Sequence, residues 1–321
     1  RGLFAVHDAT LDVLDLRATQ GRFELTGADL EFERGGNHVS LRGHVELPEH
    51  LGSALELDAN LAGDLDHADS VEWRARIDAR DLDLEQWAAL LPDSIVVPAA
   101  GHGSVRVSAR GVGRDLTSLR LRPELTNLRL PDGGAEFTRV AGDLHMQRDA
   151  DGIAIEGTGL EISREGMPWR PTSVSGTLKR RDGRIVSVAG RADYLRIENL
   201  AALSSLLPAG PLREKLEALA PRGELFGLDA SIGISGAGRL PDISGRVRFA
   251  DIGFEPFGKA PGAQGLDGAI EGRGAGGIVR IATHDSVISW PLQWRALAEF
   301  PSIDGRVEWS RFGDGVRLWV D

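Results

Sequence analysis

The stretch Val105-Arg106-Val107-Ser108-Ala109-Arg110 has an apolar residue at every second position and a polar residue at each position between. Successive side chains of a β-strand point to opposite faces of the sheet, so this stretch forms one apolar face and one charged face. A strand buried in a parallel sheet would instead be a continuous apolar run. The pattern therefore predicts an antiparallel strand with one face in contact with water.

The same alternation recurs along most of the chain. It is clear at Leu119 and Leu121, at Val247 and Phe249, and at Val307 and Trp309. Glycine-containing turns such as Asp182-Gly183 separate many of these runs, as is typical of β-hairpins. The register around Ile278, Val279 and Ile281 stays open, because adjacent apolar residues fit either face. These patterns predict a mostly β protein built as a long antiparallel meander.

Three short segments follow a helical spacing instead. Apolar residues recur on one helical stripe over residues 83–91, 197–207 and 211–220. Each segment is followed closely by a proline, which cannot continue a helix. We expect three short amphipathic helices that pack on the sheet.

Parts of the sequence repeat at long intervals. The segment 82–90 returns loosely at 195–203, and 110–114 returns at 235–239. Long-period similarity is typical of elongated arrays. We expect one continuous array with a partial repeat over 1–95 that ends in a short helix, a complete repeat over 96–221 that ends in two, and a truncated repeat over 222–321. The chain is thus expected to be part of a longer protein.

The composition excludes several functional classes. The net charge of −11 disfavours binding to nucleic acid, which needs a basic face. The absence of cysteine excludes thiol catalysis and a cysteine-based zinc site, and it fits an oxidising compartment. No apolar run reaches the roughly 20 residues of a membrane-spanning helix.

No motif indicates an enzyme, a cofactor or a metal. Residues 272–277 match G-x-G-x-x-G, but a strand-forming segment follows where a dinucleotide site needs a helix, so a hairpin turn is the better interpretation. His38, His44 and His50 lack the carboxylates that would complete a ligand set. We therefore expect no catalytic residue, no cofactor and no metal site.

The apolar face itself is the candidate site. It could pack against a second sheet, close into a barrel, or stay open as a trough for apolar ligands. Transfer of one methylene group into water costs about 0.8 kcal/mol, so a chain of about sixteen carbons costs roughly 13 kcal/mol. An apolar trough lowers that cost without any chemically special residue. The residues predicted to line it are Val105, Val107, Leu119, Leu121, Leu128, Leu130, Ile153, Ile155, Val247, Phe249, Val307 and Trp309.

Several of these stretches carry a family resemblance. The segment 82–90 with Trp87, its repeat at 195–203, and the closing stretches 261–268, 277–281, 290–292 and 303–309 resemble the AsmA-like family, and within it the YhdP-type proteins of Gram-negative bacteria. The resemblance implies an elongated, curled, taco-like antiparallel β-groove with a few short helices. It also implies a periplasmic segment of a protein that is anchored in the inner membrane and moves phospholipid toward the outer membrane, with acyl chains and the two membranes as partners.

Two other functions remain open from the residues alone. One is a structural or adhesin-like β-repeat scaffold, in which the apolar faces pack together into a closed core. The other is a β-repeat enzyme that acts on polysaccharides. Such an enzyme needs clustered carboxylates and exposed aromatic residues on one face, whereas the tryptophans of this chain are spread along it.

Overall fold

A computed structural model describes residues 2–14, 22–88, 98–131, 134–206, 210–234, 242–293, 297–312 and 315–321. The chain divides into two compact units, the first made of residues 1–149 and 157–168 and the second of residues 150–156 and 169–321. The predicted division into three repeats stays a prediction, and the second copy of the shorter repeat, 235–239, lies outside the described residues.

Antiparallel strands in sequence order build the first unit. They are β1 (Gly2–Leu14), β2 (Arg22–Gly35), β3 (His38–Glu46), β4 (Ala54–Ala62), β5 (Glu72–Asp83), β6 (Ala100–Val112), β7 (Asp115–Arg129) and β8 (Glu136–Arg148). Each of them pairs with the next one along the chain. A short 3-10 helix (Ala68–Ser70) precedes β5, and helix α1 (Leu84–Ala88) follows it.

The second unit repeats this plan. Its strands are β10 (Thr172–Arg181), β11 (Arg184–Arg196), β12 (Arg222–Gly233), β13 (Asp242–Phe254), β14 (Gly262–Gly274), β15 (Gly276–Ser289), β16 (Ala298–Phe312) and β17 (Gly315–Val320), each paired antiparallel with the next. Helix α2 (Ile197–Ala201), a 3-10 helix (Ala202–Leu206) and α3 (Pro211–Leu219) lie between β11 and β12. Strand β9 (Gly152–Ser163) contributes residues to both units.

These observations confirm the predicted fold class, a mostly β antiparallel meander with a few short helices. Within each unit the sheet is curled and stays open, since the described registers include none between β1 and β8 or between β10 and β17. The hairpin interpretation of 272–277 is confirmed, because Arg273 pairs with Gly276 across the turn. Among the described helices, none is long and apolar enough to cross a membrane.

Residues in the left-handed backbone conformation lie within many of the strands. Their φ angles lie between 50° and 60°, a region that Asp, Asn and Gly tolerate best. Most of them coincide with a shift in strand register, which marks a β-bulge, and a bulge bends its strand. In the first unit they are Asp8, Gly27, Asp81, Asn127 and Gly159, and in the second Gly227, Asp251 and Asp285.

Side chains of neighbouring strands hold some of these bends in place. The backbone N–H of Asp8 donates to Asp29 Oδ1 at 3.1 Å, and that of Asp251 donates to Asp267 Oδ1 at 2.8 Å. The same arrangement in both units indicates a recurring device that curls the sheet. The hydrogen bond from Asp8 also lowers the pKa of Asp29.

Candidate functional site

Two continuous apolar rows cross the first unit at right angles to its strands. Residues that pair directly in an antiparallel sheet share a face, so the rows follow from the registers. We call them the open face: Phe4, Phe32, Leu41, Ala59, Ala75, Ala109, Leu119 and Met146 in one row, and Val6, Leu30, Gly43, Leu57, Ile77, Val107, Leu121 and Leu144 in the other.

No residue of the open face is buried. Even Ile77, on a strand paired on both sides, is 40% exposed, and Phe32 is 39% exposed. Side chains between two packed sheets would be nearly completely buried. The open face is therefore an uncovered apolar surface, and it contains the predicted lining residues Val107, Leu119 and Leu121, all half-buried. Val105 is also half-buried but lies outside these rows, where it pairs with the buried Ala79.

The buried core of the first unit lies mostly at one end of the strands. Helix α1 and the segment 47–53 cover that end, where Trp87 Nε1 donates to the carbonyl of Leu51 at 2.8 Å. We call this cluster the packed end: Leu47, Leu51, Leu82, Leu84, Leu125, Leu128, Leu130 and Phe137. The structure thus places the predicted lining residues Leu128 and Leu130 in the packed end, where they are 7% and 4% exposed.

The second unit carries apolar rows of the same kind. One row holds Val247, Ile270, Val279, Val307 and Val320, and another holds Leu178, Val188, Ile232 and Ile243. None of these residues is buried. The registers also decide the ambiguous segment: Val279 belongs to the apolar face, whereas Ile278 pairs with Glu308 on the other face. The predicted residues Ile153 and Ile155 lie on β9, half-buried and exposed respectively.

Aromatic rings on the apolar faces lie over glycines of the adjacent strand. Trp73 pairs with Gly111, and a Cβ atom added to that glycine would come within 2.5 Å of the indole. Trp309 covers Gly277 in the same way, and Phe249 covers Gly268. The rings therefore lie along the sheet and leave the apolar surface smooth. Sequence reasoning identified Trp309 and Phe249 as lining residues but missed Trp73. The feature that could have indicated Trp73 is Gly111, the glycine with which it pairs on the adjacent strand.

This arrangement predicts a large difference between two glycine-to-alanine substitutions. In Gly277→Ala the new methyl group overlaps Trp309, whereas in Gly176→Ala the nearest atom is 3.7 Å away. Overpacking typically costs about 1–3 kcal/mol. We expect Gly277→Ala to lower the free energy of unfolding by that amount in urea titrations and Gly176→Ala to change it little. Equal values for the two variants would contradict the proposed contact.

The opposite face of the first unit is a lattice of ion pairs. Glu31, Arg42, Asp58 and Arg76 alternate in sign across four neighbouring strands. The buried carboxylate of Asp78 accepts a 2.6 Å hydrogen bond from Arg106 Nε. Many of the charges on this face are therefore paired across neighbouring strands.

Two titratable groups, the carboxyl of Asp143 and the phenol of Tyr194, have strongly shifted pKa values. Arg120 and Arg122 donate to Asp143 at 2.7 Å and 2.8 Å, and these contacts lower the pKa of Asp143 to about 2. In the second unit, burial and a 2.6 Å hydrogen bond to Glu224 raise the pKa of Tyr194 to about 12. Neither group is poised to exchange protons near neutral pH, so neither suits acid–base catalysis.

An open cavity of about 740 Å³ indents the charged face between β1 and β5. Most of its lining residues are ionisable, among them His7, Asp29 and Arg42, although Leu30 and Leu57 also line it, so it suits a polar ligand better than acyl chains. Within the described part of the chain, no cluster of three His, Asp or Glu side chains could hold a metal ion. The apolar faces therefore remain the candidate site.

The comparisons with known proteins add one finding. No curated protein and no solved structure is significantly similar to the chain. The model of the YhdP protein family, an AsmA-like lipid-transport family, matches residues 2–321. Because this match spans nearly the whole chain, the resemblance seen in the sequence is confirmed, and the chain belongs to the YhdP family.

Proposed function

We propose that the chain is a segment of a bridge-like lipid-transfer protein, whose apolar faces carry phospholipid acyl chains between the inner and outer membranes. The observation that carries the proposal is the open face, in which apolar rows run across consecutive strands without any cover. A transported chain keeps its methylene groups out of water at every step along such a row, so the barrier of roughly 13 kcal/mol for leaving a membrane is largely avoided.

The parts around the apolar face fit this role. The packed end joins the strands at one side, and the bends at Asp81 and Asn127 separate Leu82, Leu84, Leu128 and Leu130 from the open face. The rings of Trp73 and Trp309 lie along the sheet, so they present no obstacle to a sliding chain. In this proposal the segment lies in the periplasm, its parent protein is anchored in the inner membrane, and the protein performs no catalysis.

Native mass spectrometry of the gently purified chain tests the proposal against the rival scaffold. We expect additional mass that corresponds to one or more phospholipids, released and identified by collisional activation. A stable protein with a clean, lipid-free mass, even after incubation with dispersed phospholipid, would instead support a structural β-repeat.

A further inference from the structure

The tip of the β10–β11 hairpin concentrates positive charge in an acidic protein. We call Lys179, Arg180, Arg181 and Arg184 the basic hairpin; all of them are exposed. Within the described residues, none has an acidic partner within the 4.0 Å that defines an ion pair. On the charged face of the first unit, by contrast, Arg42, Arg106 and Arg120 are each paired with a carboxylate. The only carboxylate in the turn itself is Asp182.

A bulge brings one of these cations to the margin of the apolar face. Lys179 pairs with Ser187, but Arg180 pairs with Ile185, so one residue of β11 is skipped. Arg180 lies two positions from Leu178 and shares its face, since alternate residues of a strand point the same way. Arg180 therefore places a guanidinium group beside the apolar row of Leu178, one step nearer the tip of the hairpin.

The apolar surface beside it is unusually exposed. Ile185, Val188, Ile232, Ile234 and Ile243 are between 39% and 54% exposed, and we call them the aliphatic corner. Their strands are neighbours, and the N–H of Ile234 donates to the carbonyl of Val186 at 2.8 Å. An exposed aliphatic patch bordered by cations matches an amphiphile with an anionic head.

We infer that the basic hairpin binds the phosphate of an anionic phospholipid while the aliphatic corner holds its acyl chains. This inference rests on the proposed function and names its substrate class. The guanidinium group of Arg180 lies on the face of the aliphatic corner and can donate two parallel hydrogen bonds to phosphate oxygens. Lys179, Arg181 and Arg184 lie on the opposite face of the same hairpin tip and add positive charge nearby. A zwitterionic lipid carries its own cation, so it gains less from the hairpin than a lipid with net negative charge.

The test is a competition between phosphatidylglycerol and phosphatidylcholine with identical acyl chains, mixed in equal amounts with the chain and read out as bound lipid by native mass spectrometry. A basic side chain near an anionic lipid surface contributes about five-fold in binding. We expect the parent chain to favour phosphatidylglycerol by on the order of ten-fold, and the double variant Arg180→Gln, Arg181→Gln to bind both lipids nearly equally.

The matched control is Lys215→Gln with Lys259→Gln, which removes the same charge from exposed positions on α3 and in the β13–β14 turn. It should keep the parent's preference. An unchanged preference in the hairpin variant, or an equal loss in the control, overturns the inference. Inorganic phosphate alone should not raise the melting temperature of the parent; if it does so and the hairpin variant does not respond, the site binds free phosphate instead.

These outcomes separate the two proposals. Equal binding of both lipids by the parent chain overturns the headgroup assignment but leaves the apolar groove standing. Absence of lipid from every variant and from the parent overturns the groove itself.

Discussion

A carboxylate at Val107 should remove most of the phospholipid that co-purifies with the chain, by at least about ten-fold. Val107 pairs with Ile77 and Leu121, so Val107→Asp puts a charge in the middle of the open face. An acyl chain there would have to bury the carboxylate without a partner, which costs several kcal/mol. Because the site is half exposed, the charge stays hydrated in the lipid-free protein, and the fold should survive.

The matched control for this variant is Ser108→Asp, on the same strand and the opposite face. Ser108 pairs with Arg76 and Arg120, so the new carboxylate meets two guanidinium groups and no lipid. Native mass spectrometry should find parental lipid content in Ser108→Asp and little in Val107→Asp, with circular dichroism verifying both folds. Val247→Asp repeats the test in the second unit. Lipid content at the parental level in Val107→Asp and Val247→Asp would show that the apolar rows are not the groove.

The sequence predicted the two faces well because alternation determines them locally. The residues that pair with Val107 and Leu121 on the neighbouring strands are apolar as well, so strand pairing extends the local pattern into a continuous row. The segment at Val279 resisted this reasoning, since both faces of that stretch offer apolar residues. Only the pairing with Val307 decides which of them belongs to the row.

The end of the open face was harder to predict than its middle. Leu128 and Leu130 fall at even positions, out of phase with Leu119 and Leu121, because the left-handed Asn127 interrupts the alternation of β7 and bends the strand. Beyond that bend the side chains pack with Leu84 near Gly101, which depends on where α1 lies. The recurrence of Asp, Asn or Gly within several strands was the feature of the sequence that could have predicted this bend.

The basic hairpin was also hidden from pattern reasoning. Composition showed an acidic chain, and charge pairs between strands become visible only with the register, as for Arg42 with Glu31 and Asp58. The hairpin differs from other basic residues because it places four cations, Lys179, Arg180, Arg181 and Arg184, within six positions of the chain. Its position beside Ile185 further depends on a bulge that the local sequence does not specify.

The same substitution should have very different effects on stability at the packed end and on the open face. Leu51 is 1% exposed beneath Trp87, whereas Leu121 is half exposed on the open face. Truncation of a fully buried leucine leaves a cavity and costs about 3 kcal/mol or more. Truncation of a half-exposed one loses only part of its transfer free energy, about 1 kcal/mol.

We therefore expect Leu51→Ala to lower the free energy of unfolding of the lipid-free chain by roughly 2 kcal/mol more than Leu121→Ala does, as measured by urea titration. Both residues lie in the first unit, so they report on the same core. A closed scaffold would bury Leu121 against a second layer and make the two costs equal. Added phospholipid should increase the difference in the free energy of unfolding between the parent and Leu121→Ala, because a ligand that binds the folded state stabilises it more when it binds more tightly. It should leave the difference between the parent and Leu51→Ala unchanged. If the two leucines prove equally costly and lipid has no effect, the apolar faces serve a closed core and the transfer function fails with them.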